Sequence, residues 1–165
     1  MRLFIAIQLS DGIRDILSTV QAYLREHGIR GNYTKIENLH LTLAFIGEYS
    51  DPDFILEVMR SVSFAPFPIC IEGFGSFGDL YWCGIGENNS LLSYVKRLRR
   101  ALADNGIPFD RKKFSPHITL IRKAEYDHRR GFPGVTVPDV SMLVSGVSLM
   151  RSDRTMSGMV YTEVE

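Results

Sequence analysis

The sequence predicts an α+β protein in which two similar, mainly antiparallel sheets face a central cleft, with helices packed outside. Three observations carry that expectation. Short segments of β-type composition alternate with three segments of helical period, in the order strand, helix, strands, helix, then strands, helix, strands. One four-residue pattern occurs twice, as His40-Leu41-Thr42-Leu43 and His117-Ile118-Thr119-Leu120, once in each half. No linker separates the halves, so residues 1–165 are expected to form a single bilobal domain.

The elements follow in order. Residues 2–8 are a buried strand, and Ser10 or Asp11 caps a helix with Ile13, Ile16, Leu17, Val20 and Leu24 on one stripe, ended by His27-Gly28. A short strand is expected from Tyr33 to Ile36, then a turn at Glu37-Asn38, then the first His strand running to Gly47. Ser50 or Asp51 caps a second helix with Pro52 just inside it and Ile55, Val58, Met59 and Val62 turned inward. Phe67 to Phe77 reads as a strand bulged at Gly73 or Gly75, and Leu80 to Ile85 pairs back as a hairpin around Gly78-Asp79. The third helix starts at Asn88 to Ser90, carries Leu91, Val95, Leu98 and Leu102, and stops at Asn105-Gly106. After the second His strand, residues 122–139 read as a long loop. Strands at Met142 to Met150 and Met159 to Val164 close the chain, with Asp153-Arg154 as their turn.

Composition narrows the class. The chain has 45% hydrophobic residues and a formal net charge of zero, which argues against disorder. Cys70 and Cys83 each lie in an apolar segment, suiting reduced, buried thiols and a cytoplasmic setting. The apolar run after Arg2 is too short for a signal peptide, and no segment is long enough to span a bilayer, so no membrane association is expected. Charge is distributed unevenly: Lys96 to Arg130 holds eleven Lys or Arg against four Asp or Glu. That basic stretch contains the second His pattern, which favours a phosphate-bearing ligand.

In a strand, residues two apart share a face, so His40 lies beside Thr42, and His117 beside Thr119, while the aliphatic partners point to the core. With four His and seven Thr in the chain, random placement yields about 0.17 His-x-Thr triplets. Two imidazoles on facing strands supply an acid and a base for in-line displacement at phosphorus without a metal or cofactor, since histidine titrates near neutrality. Each Thr hydroxyl is placed to donate to a nonbridging phosphate oxygen. Phosphate-binding glycine loops, dinucleotide fingerprints and serine elbows are absent. His27, at a helix end, and His128, in a charged loop, read as surface residues.

The paired HLTL and HITL tetrads, their separation, the opening RLFIAI strand and the FSPHITLIR context resemble the 2H phosphoesterase family. Within it they are most similar to the RNA 2′,3′-cyclic phosphodiesterase branch, historically called 2′-5′ RNA ligase. The resemblance implies a bilobal fold and metal-independent hydrolysis of RNA 2′,3′-cyclic phosphate ends to 2′-phosphomonoesters, with reversible 2′-5′ ligation. By the same resemblance His40 is the proton donor and His117 the proton acceptor, and Arg122 contacts the phosphate. Strict alternation puts Arg122 on the face opposite His117, so either the strand ends or twists by Ile121 to allow that contact, or Arg122 is structural. Phe114 is either core or a base-stacking wall, and Tyr33 stands where relatives commonly carry Trp, available for stacking. A monomer acting on RNA is expected. Two alternatives stand beside it: a cyclic phosphodiesterase for a small nucleotide or ADP-ribose derivative, and a non-catalytic single-stranded RNA-binding module.

Overall fold

The computed structural model describes residues 1–165. Its elements are β1 (Arg2–Gln8), α1 (Asp11–Glu26), β2 (Arg30–Tyr33), a 3-10 turn (Ile36–Asn38), β3 (His40–Glu48), α2 (Pro52–Ser61), β4 (Phe67–Phe77), β5 (Leu80–Ile85), α3 (Asn89–Asp104), β6 (His117–Glu125), β7 (Val140–Val144), β8 (Ser148–Thr155) and β9 (Gly158–Val164). The strands form a four-stranded sheet, β3-β1-β8-β9, and a five-stranded sheet, β2-β6-β5-β4-β7. Every pairing is antiparallel. The α+β class and the two-sheet arrangement are as the sequence predicts, with one His strand in each sheet.

Helix starts follow side-chain capping. Ser10, Asp51 and Asn88 accept from the backbone N–H groups of Ile13, Phe54 and Leu91 respectively. One continuous core joins Leu3, Ile5 and Ile7 of β1, Leu41 and Leu43 of β3, Ile69 and Ile71 of β4, and Ile118 and Leu120 of β6 to the inner faces of all three helices. The opposite face of β1 buries Phe4 and Ala6 against Met150, with Phe45 and Tyr161 packed alongside. Helix α1 packs on β6 and β7, so it supports the sheet that β1 does not belong to.

Five local expectations are corrected. The second strand spans Arg30–Tyr33 rather than Tyr33 to Ile36, because Ile36 is exposed in the 3-10 turn instead of buried in a sheet. Strand β6 continues to Glu125, paired with β2, so the loop begins later than residue 122. The apolar stretch Met142 to Met150 is split: β7 joins the five-stranded sheet and β8 the four-stranded one. Asp153 and Arg154 lie within β8, with the turn between β8 and β9 at Met156 and Ser157. Cys70 is exposed, since Phe67, Ile69 and Ile71 take the inward positions of β4, whereas Cys83 is buried. The expected bulge in β4 falls at Gly73, where φ is 82° and the pairing with β5 slips between Ile71 and Phe74. No helix is long and apolar enough to cross a membrane.

Gly31 is the tightest point between β2 and β6. Its φ is 149°, and an added Cβ would sit 2.9 Å from the carbonyl oxygens of both Arg122 and Lys123. Gly31→Ala is therefore expected to lower unfolding free energy by about 1–3 kcal/mol, measured by urea denaturation. An unchanged midpoint would show that β2 moves off β6 at no cost.

Candidate active site

Strands β3 and β6 come within 8 Å of each other where the two sheets meet, and their polar faces open into one cleft of about 700 Å³. His40, Thr42, His117, Thr119, Arg122 and Phe114 all line it. Leu41, Leu43, Ile118 and Leu120 point the other way and are fully buried. The alternation read from the sequence thus separates anchoring residues from exposed chemistry in both strands.

Each imidazole is held from behind. His40 Nδ1 donates to the Asn38 carbonyl at 2.7 Å, and His117 Nδ1 donates to the Ser115 carbonyl at 2.7 Å. A carbonyl only accepts, so these bonds keep the proton on Nδ1 and leave Nε2 of each neutral ring with its lone pair. Nε2 of His40 lies 2.8 Å from the Thr42 hydroxyl, which donates to it in that state. The His40 ring is further confined by Phe4, 4.9 Å away between centroids, and by Tyr161, edge-on at 5.3 Å. His117 has Phe77 edge-on at 5.1 Å.

Arg122 reaches the cleft through a backbone irregularity that the sequence does not announce. On β5, Tyr81 and Trp82 are adjacent, but they pair with Ile121 and Thr119 of β6, so Leu120 is an extra residue in the ladder. Leu120 and Ile121 are consequently both buried, and the alternation restarts with Arg122 on the side of His117. The Arg122 guanidinium makes no hydrogen bond or ion pair within the protein. Arg99, in contrast, is fully engaged: Nε and one terminal nitrogen donate to the Leu43 carbonyl at 3.1 and 3.0 Å, and the other donates to the Lys112 carbonyl at 2.7 Å. It ties α3 to β3 and to the basic turn.

Tyr33 is not among the cleft-lining residues. Its hydroxyl donates to the Ile29 carbonyl at 2.7 Å and its ring carries the Arg25 guanidinium at 4.1 Å, so it packs between α1 and β2. Phe114 is half-buried, packed against the core, and presents to the cleft with Arg99 5.5 Å from its ring. Sequence reasoning missed Asn38, Phe45, Phe77 and Tyr161. Tyr161 has no local signature, because only the pairing of β8 with β9 and of β1 with β8 brings it beside His40. Asn38 had one: a polar residue just before the His strand, buried, with its amide donating to the Met159 carbonyl at 2.9 Å.

Four cations, Arg99, Lys112, Lys113 and Arg122, line the cleft against one carboxylate, Asp110. No group of three or more His, Cys, Asp or Glu side chains is arranged around a common point for a metal ion. Burial pushes the His40 imidazole below its ordinary value; the Asn38 carbonyl opposes this, while the charges of Arg122, His117 and Arg14 add to it.

Two antiparallel sheets that bring matched His-x-Thr strands to one basic cleft define a phosphoesterase-type protein. The model of the 2′-5′ RNA ligase superfamily matches residues 11–155, and the chain belongs to that family. It is 28% identical over 173 residues to an RNA 2′,3′-cyclic phosphodiesterase of Thermotoga maritima, covering 98% of this chain and 91% of that one. A protein of the same name from Methanothermobacter thermautotrophicus is 30% identical over 179 residues, covering 100% and 97%. Among solved structures, Escherichia coli LigT complexed with 3′-AMP superposes with a TM-score of 0.80 at 27% identity, covering 99% of this chain and 94% of that one.

The electrostatic account predicts a His40 titration midpoint below about 6.5 in the ligand-free protein, read by NMR of the ring protons. Arg122→Gln removes a cation that opposes the imidazolium, so the midpoint is expected to rise. An unmoved midpoint would place Arg122 too far from His40 to share a ligand with it.

Proposed function

We propose that the protein hydrolyses RNA 2′,3′-cyclic phosphate ends to 2′-phosphomonoesters without a metal ion, His117 acting as general base and His40 as general acid. The observation that carries this reading is the convergence of both His-x-Thr strands on one basic cleft, each ring tautomer fixed with Nε2 unprotonated when neutral. The names of the relatives and the LigT complex with 3′-AMP support the same substrate class.

In this reading His117 Nε2 takes a proton from water as its oxygen attacks phosphorus. The P–O3′ bond breaks, and His40 Nε2 delivers its proton to the departing 3′ oxygen. His40 must enter that step as imidazolium. The free protein disfavours the charged ring, and the bound phosphodiester anion offsets the cations that oppose it. Protonation also ends the bond from Thr42: Nε2 no longer accepts, its N–H turns to the 3′ oxygen, and the Thr42 hydroxyl is freed to donate to a nonbridging phosphate oxygen. Thr119 donates from the other strand, and Arg122 supplies a charge-assisted contact. With a 5′-hydroxyl in place of water, the same proton transfers join two RNA ends through a 2′-5′ linkage. Phe114 and the aromatic rings of Phe77 and Tyr161 offer faces for the terminal nucleotide.

The test is hydrolysis of an oligoribonucleotide ending in 2′,3′-cyclic phosphate in excess chelator, with the product read by phosphorus NMR. A 2′-phosphate is expected, and His40→Ala and His117→Ala are each expected to lower kcat by about 10²–10⁴-fold with unchanged circular dichroism. Loss of activity in chelator, or a 3′-phosphate product, would overturn the reading. Binding of the oligonucleotide with its end unchanged would instead support an RNA-binding module. Faster turnover of a cyclic mononucleotide than of the oligonucleotide would point to a small-nucleotide substrate.

A further inference from the structure

The bulge that delivers Arg122 to the cleft has a dedicated support. Among the five buried residues of α1, four are aliphatic and one is Gln21, only 3% exposed and lying between Leu17 and Leu24 on the stripe that faces the core. Its Nε2 donates to the Thr34 carbonyl at 2.8 Å and to the Leu120 carbonyl at 2.9 Å. The Thr34 N–H donates to that same Leu120 carbonyl at 3.0 Å. Leu120 is the extra residue in β6, the one the ladder with β5 leaves out.

A buried amide in an apolar helix face is costly unless both its environment and its partners require it. Here one partner is the carbonyl of Leu120, the residue that the ladder with β5 leaves out, and the other is the carbonyl of Thr34, just beyond the end of β2. We infer that Gln21 is a positioning residue: by bonding the Leu120 carbonyl and the chain leaving β2 at once, it holds the β6 bulge and so fixes Arg122 on the side of His117. Without the bulge, residue 122 reverts to the face opposite His117, and its guanidinium leaves the cleft. The inference rests on the reading of Arg122 as a phosphate ligand, and the experiment separates the two.

Gln21→Met keeps the length and volume of the side chain but has no N–H to donate. It is compared with Arg122→Gln and with the double variant in three measurements: kcat/KM on cyclic-phosphate RNA, affinity for inorganic phosphate, and the His40 titration midpoint. Gln21→Met is expected to lower kcat/KM by roughly tenfold, less than Arg122→Gln. It is also expected to weaken phosphate binding and to move the His40 midpoint in the same direction as Arg122→Gln. Added to Arg122→Gln, it is expected to cost almost nothing further, because the group it positions is already gone. Losses that multiply in the double variant would overturn the inference, as would a Gln21→Met protein with unchanged phosphate affinity. Should Gln21→Met not fold, Gln21→Asn, too short to reach both carbonyls, is put through the same cycle. If wild-type protein binds phosphate but does not turn over the cyclic substrate, the proposed reaction fails while the phosphate and titration cycles still decide the role of Gln21. If it binds no phosphate, both fall.

Discussion

The arrangement of the cleft depends on one hydrogen bond made twice: the Nδ1–H of each imidazole to the carbonyl two residues earlier in the chain, Asn38 for His40 and Ser115 for His117, both at 2.7 Å. Those carbonyls belong to the turns that precede β3 and β6, so the start of each strand sets the tautomer of its own histidine. The 3-10 turn at Ile36–Asn38 serves the first, and Pro116, which biases Ser115 toward extended backbone, serves the second. The remaining architecture brings these two self-contained units face to face. One aliphatic core lies behind both strands, and a separate small cluster around Phe4 and Met150 lies beneath His40.

Charge in the cleft is divided between structure and availability. Arg99 turns all three guanidinium nitrogens to the carbonyls of Leu43 and Lys112, and burial pushes its own ionisation below the usual range. Asp110, the lone carboxylate, accepts from the Lys112 N–H at 3.0 Å and donates its own backbone N–H to the Phe45 carbonyl, holding the basic turn against β3. Arg122 and the side chains of Lys112 and Lys113 are left to meet an anion. The ligand-free cleft disfavours a charged His40, and in the proposed reaction a bound phosphate anion offsets the cations that contribute to this, coupling readiness for proton donation to occupancy.

Much of this was legible in the sequence, for reasons that are local. The continuous apolar run of β1, the alternation of β3, the apolar, glycine-bulged stretch of β4, helical stripes in α1 and α3, and the capping residues Ser10, Asp51 and Asn88 are decided within a few residues, and the structure follows them. What escaped was decided by distant partners. Strands β7 and β8 read as one strand because apolar residues continue through both, and only membership of different sheets divides them. The extra residue at Leu120 is defined by its pairing with β5, so alternation alone placed Arg122 on the wrong face. Tyr33 stands where relatives commonly carry Trp and so read as available for stacking, yet its hydroxyl bond to Ile29 turns it toward α1. Tyr161, which does stand beside His40, comes from the far end of the chain. A glutamine at a core-facing position of α1, like the asparagine just before the first His strand, was a sequence sign of buried polar groups needing partners.

The most direct test of the central claim is a crystal structure with inorganic phosphate or a nucleoside 2′-monophosphate bound. The account predicts phosphorus between the two rings, Nε2 of His40 and Nε2 of His117 bonded to different phosphate oxygens, and Arg122 on a third. A phosphate seated outside the cleft, or both rings turned to a single oxygen, would contradict it.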